Sequence, residues 1–224
     1  LKLSEGQFEN KPFRSAPAQD FKIGSLFGWK RLDGTRRFRR AYIEEGKGNG
    51  KSPFAGGVGL YGLMADGEAG AEIYSAGATK EQAGILFRDA VKMVKQSPDL
   101  DSRLTMSGGP GREFNIAYLK RSSFFRPVSR ETKKTGSGPR PHFALVDELH
   151  EHPDGGIIEI LERGFKFRRQ PLLLMITNSG SDRNSVCYVE HEQAVKVAAG
   201  NREAKDGDAF YIGEVLSREA DATF

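Results

Sequence analysis

Apolar positions in this chain follow two rhythms. Phe143-Ala144-Leu145-Val146 and Leu172-Leu173-Leu174-Met175-Ile176 are short unbroken apolar runs, the pattern of strands buried on both faces of a sheet. Between Thr79 and Gln96 the apolar residues Ala83, Leu86, Phe87, Ala90, Val91 and Val94 recur at helical spacing. Thr79-Lys80-Glu81-Gln82 supplies a capping box at the start of that helix, and Pro98 stops it. Arg37 to Glu45 reads as extended, with Tyr42-Ile43 apolar, and Glu72 to Ser75 reads as a strand. Helices are expected from about Ile157 to Arg163 and from about Val186 to Ala199, the second closed by Gly200. Residues 102–141, rich in Gly, Ser and Pro, are expected to give short strands and surface loops, and residues 1–35 irregular structure around Pro12, Pro17 and Phe27-Gly28-Trp29. Alternating strands and helices predict an α/β fold, a mostly parallel central sheet with helices on both faces.

Candidate chemistry gathers at the predicted strand ends. After the extended run comes Gly46-Lys47-Gly48-Asn49-Gly50-Lys51-Ser52, followed by a small-residue segment from Pro53 to Ala65. A strand, a glycine-rich turn ending in Gly-Lys-Ser and a helix make a phosphate-binding loop, because glycines turn backbone N–H groups toward phosphates and the helix N-terminus adds partial positive charge. In such a loop Lys51 reaches the β- and γ-phosphates and the Ser52 hydroxyl ligates Mg2+. The usual pattern has glycine where this chain has Glu45, and Glu44 and Glu45 set negative charge beside the phosphate site. Gly56, Gly57, Gly59 and Gly62 in the following helix imply close packing against a neighbouring strand, or else a poorly formed helix.

Asp147-Glu148 ends the Phe143–Val146 run, where open α/β sheets bind ligands. There Asp147 would hold Mg2+ and Glu148 would polarise an attacking water; the bland alternative is an exposed loop or a helix cap. Thr177-Asn178-Ser179-Gly180 ends the next run and is suited to contact a γ-phosphate, or is ordinary turn chemistry.

Composition narrows the class. The 224 residues suffice for one large domain or two small ones, and 38% hydrophobic content supports a core. A mean hydropathy of −0.52, with no long apolar stretch, excludes a transmembrane helix, and no secretory signal is visible at Leu1. The single cysteine, Cys187, allows no intrachain disulfide, fits a reducing compartment and has no nucleophile context. Net charge is +4. The basic clusters Lys30-Arg31 with Arg36 to Arg40, Lys120 to Lys134, and Arg163 to Arg169 suit nucleic-acid phosphates or a solvated face equally. His150-Glu151-His152 lacks the helical spacing of a zinc motif, and His142 and His191 carry no motif.

With these motifs in order, the chain resembles the ATPase portion of the large terminase subunit of tailed bacteriophages. The resemblance rests on Phe27-Gly28-Trp29-Lys30, Gly34-Thr35-Arg36-Arg37-Phe38-Arg39 and the phosphate loop; on Ala65-Asp66-Gly67-Glu68, Glu72-Ile73-Tyr74-Ser75-Ala76 and Thr79-Lys80-Glu81-Gln82-Ala83; and on Val146-Asp147-Glu148-Leu149-His150-Glu151, Gln170-Pro171 and Ile176-Thr177-Asn178-Ser179-Gly180.

It implies a P-loop NTPase fold of the RecA/ASCE-like kind with ATP and Mg2+ as cofactors. The expected nucleotide-binding residues are Gly46, Lys47, Gly48, Asn49, Gly50, Lys51, Ser52, Thr177 and Asn178, with Gln19 as the candidate adenine reader although Ala18 stands where an aromatic is common. Ser52 and Asp147 are the expected metal ligands, and Lys51 and Glu148 the catalytic residues, with Arg140 as the arginine offered to a neighbouring subunit. It further implies a motor that pushes double-stranded DNA into a procapsid, as a homo-oligomeric ring with portal protein and small terminase subunit, in the host cytoplasm at the portal vertex and away from membranes. The division expected is residues 1–35 as an N-terminal segment, 36–185 as the ATPase core and 186–224 as a lid or linker toward a nuclease domain. Asp206, Asp208 and Asp221 do not form that nuclease's metal set. The rival readings are a helicase-type translocase and a degenerate P-loop domain acting as a scaffold.

Overall fold

The computed structural model describes residues 1–2, 11–129, 138–200 and the strand at 209–213. Strands β1 (Arg40–Glu44), β2 (Glu72–Gly77), β3 (Thr105–Ser107), β4 (Asn115–Tyr118), β5 (Ser123–Ser129), β6 (Phe143–Val146), β7 (Leu172–Thr177) and β8 (Ala209–Gly213) join one sheet in the order β3-β4-β5-β2-β6-β7-β1-β8. From β5 to β8 every neighbouring pair is parallel; β3 and β4 attach antiparallel at one edge. The strand bearing the last predicted motif, β7, lies between the one that enters the phosphate loop, β1, and the one that ends in Asp147, β6. All three functional segments therefore leave the same, C-terminal edge of the sheet.

Strand residues alternate between two apolar layers, as the period of two demands. Ala41, Ile43, Ile73, Phe143, Leu145, Leu172, Leu174 and Ile176 face helices α2 (Lys51–Met64) and α3 (Lys80–Lys95). Tyr42, Tyr74, Ala76, Ala144, Val146, Leu173 and Met175 face α5 (Gly156–Gly164) and Cys187 of α6 (Val186–Ala198). The remaining helices are α1 (Pro17–Ile23) and the short α4 (Pro98–Asp101). Thr79 caps α3 by accepting from the Gln82 N–H at 3.2 Å. The glycines of α2 mark close packing in a regular helix: a Cβ on Gly62 would lie 2.5 Å from the Phe143 ring, and one on Gly59 2.7 Å from Phe125. No helix among the described residues is long and apolar enough to cross a membrane.

One expectation is corrected. The N-terminal segment is not irregular throughout: Pro17 starts α1, and a π-helical turn at Gly24–Gly28 follows. Within the Gly/Ser/Pro-rich region, β5 is a full member of the sheet; Pro127 lies beyond the Ser123–Phe125 stretch paired with β4, where one edge is already open. Within the segment expected as a lid or linker, α6 carries Cys187 into the core and β8 extends the sheet beside β1.

The basic clusters also divide. Arg36 is fully buried, its guanidinium between the rings of Phe27 and Phe143 at 5.1 and 4.8 Å and paired with Asp66 at 2.5 Å. Arg40 pairs with Glu162 and Glu190, and Arg168 with Glu68. These arginines fasten the domain together and are not a free phosphate-binding face. Arg130, Lys133 and Lys134, like Asp206, Asp208 and Asp221, lie outside the described residues.

Candidate nucleotide-binding site

Between β1 and α2 the chain turns through Glu45 to Gly50. Gly48 and Gly50 have φ of 90° and 70°, a region in which a side chain is strained, and Gly50 caps α2. Gly46 to Gly50 thus wrap the N-terminus of a helix whose first residues are Lys51 and Ser52, with Lys47 exposed at the turn. The Lys51 side chain folds back into the loop. Its ammonium donates to the Glu45 carbonyl at 2.9 Å, the Gly46 carbonyl at 3.0 Å and Asn178 Oδ1 at 2.6 Å. These neutral oxygens hold the ammonium at the mouth of the loop, where phosphate oxygens would take their place.

Opposite the loop stand Asp147 and Glu148. The Ser52 hydroxyl lies near enough to the Asp147 carboxylate to favour its ionised form, so the start of α2 and the tip of β6 face each other. Burial pushes the Asp147 carboxyl up from 3.8 to about 6, helped by the charge of Glu148 and opposed by bonds from Glu148 N–H and Ser52. A carboxylate that is hard to ionise alone, next to a hydroxyl, fits a hard cation such as Mg2+, which takes one or two protein oxygens and keeps the rest for water and phosphate. Glu148 adopts φ of 46° although it is not glycine, a strained backbone that costs on the order of 1–3 kcal/mol. Its carboxylate then receives Asn178 Nδ2 at 3.3 Å and lies 3.3 Å from His150 Nδ1.

The tip of β7 completes the arrangement. Asn178 bridges Lys51 and Glu148 through the two ends of its amide. Thr177 is fully buried and faces inward: its Oγ1 accepts from the His150 N–H at 3.1 Å, lies 3.0 Å from His150 Nδ1 and contacts Cys187 Sγ at 3.6 Å. The pair expected from sequence thus separates, with Asn178 on the loop and Thr177 behind it. His150 packs against the Glu148 carboxylate, and His152 turns its Nε2 to the Asp147 carbonyl at 3.1 Å. Among the described residues no group of three His, Cys, Asp or Glu side chains is arranged to hold a metal alone. Burial raises the Cys187 thiol, which keeps it inert.

Both glutamates that stand against phosphate in the sequence find partners in the fold. Glu44 accepts from Tyr42 OH and His191 Nδ1, each at 2.8 Å, and from Ser179 Oγ at 2.7 Å. Glu45 is buried in an ion pair with Lys22 of α1. Gln19 on the same helix donates Nε2 to the Asn49 carbonyl at 3.5 Å, which sets it over the loop. Arg140 does not join the site: it precedes β6, at the opposite edge of the sheet, with its exposed guanidinium 5.1 Å from the Phe167 ring. Sequence reasoning missed Lys22 and His191, since their partners are 23 and 147 residues away.

A glycine turn carrying Lys51 and Ser52 onto a helix, met by Asp147-Glu148 at a strand tip with β7 between, defines a P-loop nucleoside triphosphatase of the α/β class. Within that class the chain belongs to the family described as terminase large subunit, ATPase domain, which matches residues 17–196. It is 27% identical over 201 residues to the terminase large subunit of Enterobacteria phage HK97, covering 87% of this chain and 37% of that protein. The crystal structure of the HK97 large terminase superposes with a TM-score of 0.76 at 23% identity, over 94% of this chain and 41% of that one. The large terminase from a thermophilic bacteriophage, in complex with ATP-gamma-S, superposes with a TM-score of 0.56 at 13% identity, over 94% of this chain and 48% of that one. The chain therefore spans well under half the length of the HK97 protein it matches.

Proposed function

We propose that this domain binds ATP with Mg2+ and hydrolyses it to drive double-stranded DNA into a procapsid. The observation that carries the reading is the convergence of the Lys51 loop and the Asp147-Glu148 strand tip at one edge of the sheet, joined by Asn178, which bonds both Lys51 and Glu148. Lys51 exchanges its carbonyl partners for phosphate oxygens. Ser52 and Asp147 would hold a bound Mg2+, which would supply charge neutralisation at the phosphates. Glu148 orients the attacking water and accepts its proton. Gln19 reads the base from above the loop. The complex of the thermophilic phage's large terminase with ATP-gamma-S supports nucleotide binding on this fold.

Residues 36–185 act as the ATPase core and 186–224 as its link to further domains. The domain works in a homo-oligomeric ring with portal protein and small terminase subunit, in the host cytoplasm at the portal vertex. Arg140, exposed and away from its own site, is offered to the next subunit.

The test is nucleotide binding and phosphate release by wild type, Lys51→Ala and Glu148→Gln. Lys51→Ala is expected to lose binding, and Glu148→Gln to retain binding while hydrolysis falls about a hundredfold or more. A Lys51→Ala protein that binds ATP as wild type does would sink the site.

A further inference from the structure

The loop departs from the common pattern at Glu45, and the structure shows what accommodates that departure. Glu45 and Lys22 are 4% and 2% exposed, and their side chains form an ion pair. Glu45 is also part of the frame of the loop: its N–H donates to the Thr177 carbonyl at 3.1 Å, and its own carbonyl accepts from Lys51 at 2.9 Å. A buried carboxylate at that point, left alone, is costly and repels the phosphates the loop is built to hold.

Lys22 answers that charge from a different element. It lies on α1, three residues after Gln19, so both side chains leave one face of the helix. Gln19 reaches the Asn49 carbonyl at the tip of the loop while Lys22 reaches Glu45 at its start. The ammonium also lies 6.0 Å from the ring of Phe54, in the first turn of α2. One short helix thereby spans the whole turn.

We propose that Lys22 is a positioning residue for nucleotide binding: it neutralises Glu45 and fixes α1 across the phosphate loop, so that the loop is both open to polyphosphate and held in shape. The proposal rests on the nucleotide-binding reading above. It concerns affinity and not the chemical step, because the Lys22 contacts it rests on, Glu45 and the Phe54 ring, belong to the loop and the helix after it.

The experiment compares wild type, Lys22→Met, Glu45→Gln and the double variant Lys22→Met/Glu45→Gln. The readouts are the Kd for a fluorescent ADP analogue, KM and kcat for ATP, and thermal melting. Lys22→Met is expected to weaken Kd and KM by about ten- to a hundredfold, the scale for removing one partner of a buried charged pair, with kcat within about threefold of wild type. Removing the carboxylate as well restores affinity to within about threefold of wild type, since the uncompensated negative charge beside the loop is gone. Wild-type affinity in Lys22→Met overturns the proposal, and so does a loss that Glu45→Gln fails to rescue. A purely structural lysine would lower melting and kcat along with affinity. If Lys22→Met does not fold, the double variant decides: tight binding supports the proposal and weak binding overturns it. If wild type binds no nucleotide, the nucleotide-binding reading itself falls and takes this proposal with it.

Discussion

Asp147→Asn should make the ligand-free protein more stable at the expense of its chemistry. Burial and the neighbouring Glu148 raise the Asp147 carboxyl from 3.8 to about 6. The folded state thus holds the proton more tightly than the unfolded chain. Its contribution to stability is fully present below 3.8 and is lost as pH rises through about 6. Two pH units correspond to a ceiling of about 3 kcal/mol, reached above neutrality. Asparagine keeps the shape and removes the titration. Without metal or nucleotide, the variant should be the more stable protein at about pH 8 by up to ~3 kcal/mol, or on the order of 5–10 °C in Tm. The gap should open between about pH 4 and 6 and stay level above that. Urea melts of both proteins across this range measure it. Adding Mg2+ and ATP should reverse the order, because only wild type gains the binding energy. A variant no more stable than wild type at pH 8 without ligand would refute the idea that ionising this carboxylate costs the fold anything.

Three further substitutions separate catalysis from packing. His150→Ala removes a group 3.3 Å from Glu148 and 3.0 Å from Thr177 without touching the loop. It should lower kcat roughly tenfold or more with KM within about threefold, and steady-state kinetics in which KM alone moves would contradict it. Gly62→Ala drives a methyl to 2.5 Å from the Phe143 ring and should cost about 1–3 kcal/mol in chemical denaturation. Gly57→Ala, whose nearest neighbour is the Leu1 side chain at 3.5 Å, should stabilise the same helix by up to ~1 kcal/mol. Equal effects at the two glycines would mean that contact with the sheet does not explain them.

The parts of the fold that were legible in sequence are those in which one segment specifies its own environment. Phe143–Val146 and Leu172–Ile176 are apolar at every position because both faces are covered, and each is a central strand. The capping box at Thr79 lies within four residues and appears as expected. The phosphate loop and Asp147-Glu148 were legible because phosphate and cation chemistry demand fixed residue types at fixed local spacing. Pairing across the chain was not legible. Arg36 looked like part of a basic surface until Asp66, Phe27 and Phe143 closed around it. Glu45 looked hostile to phosphate because Lys22 lies 23 residues away on a helix too short to announce itself. The bounds of β5 and its place in the sheet were not legible, because the cost of Pro127 depends on which edge of the strand is paired.

These long-range contacts also give the site its order of events on the proposed reading. Asn178 is the pivot, because its Oδ1 accepts from Lys51 at 2.6 Å while its Nδ2 donates to Glu148 at 3.3 Å. Before nucleotide binds, the amide ties the phosphate-binding lysine to the base. When Lys51 turns to phosphate, Asn178 loses its donor and becomes free to reorient, so the restraint on Glu148 changes at the moment a substrate is present. The other restraint on Glu148, His150, is anchored on Thr177, and Thr177 touches Cys187 of α6. Occupancy of the loop and the position of α6 therefore act on one carboxylate from two sides. The tip of β7 thus joins Lys51, Glu148 and α6 through one chain of contacts. A substitution there should change the coupling between nucleotide and helix before it changes the affinity of either.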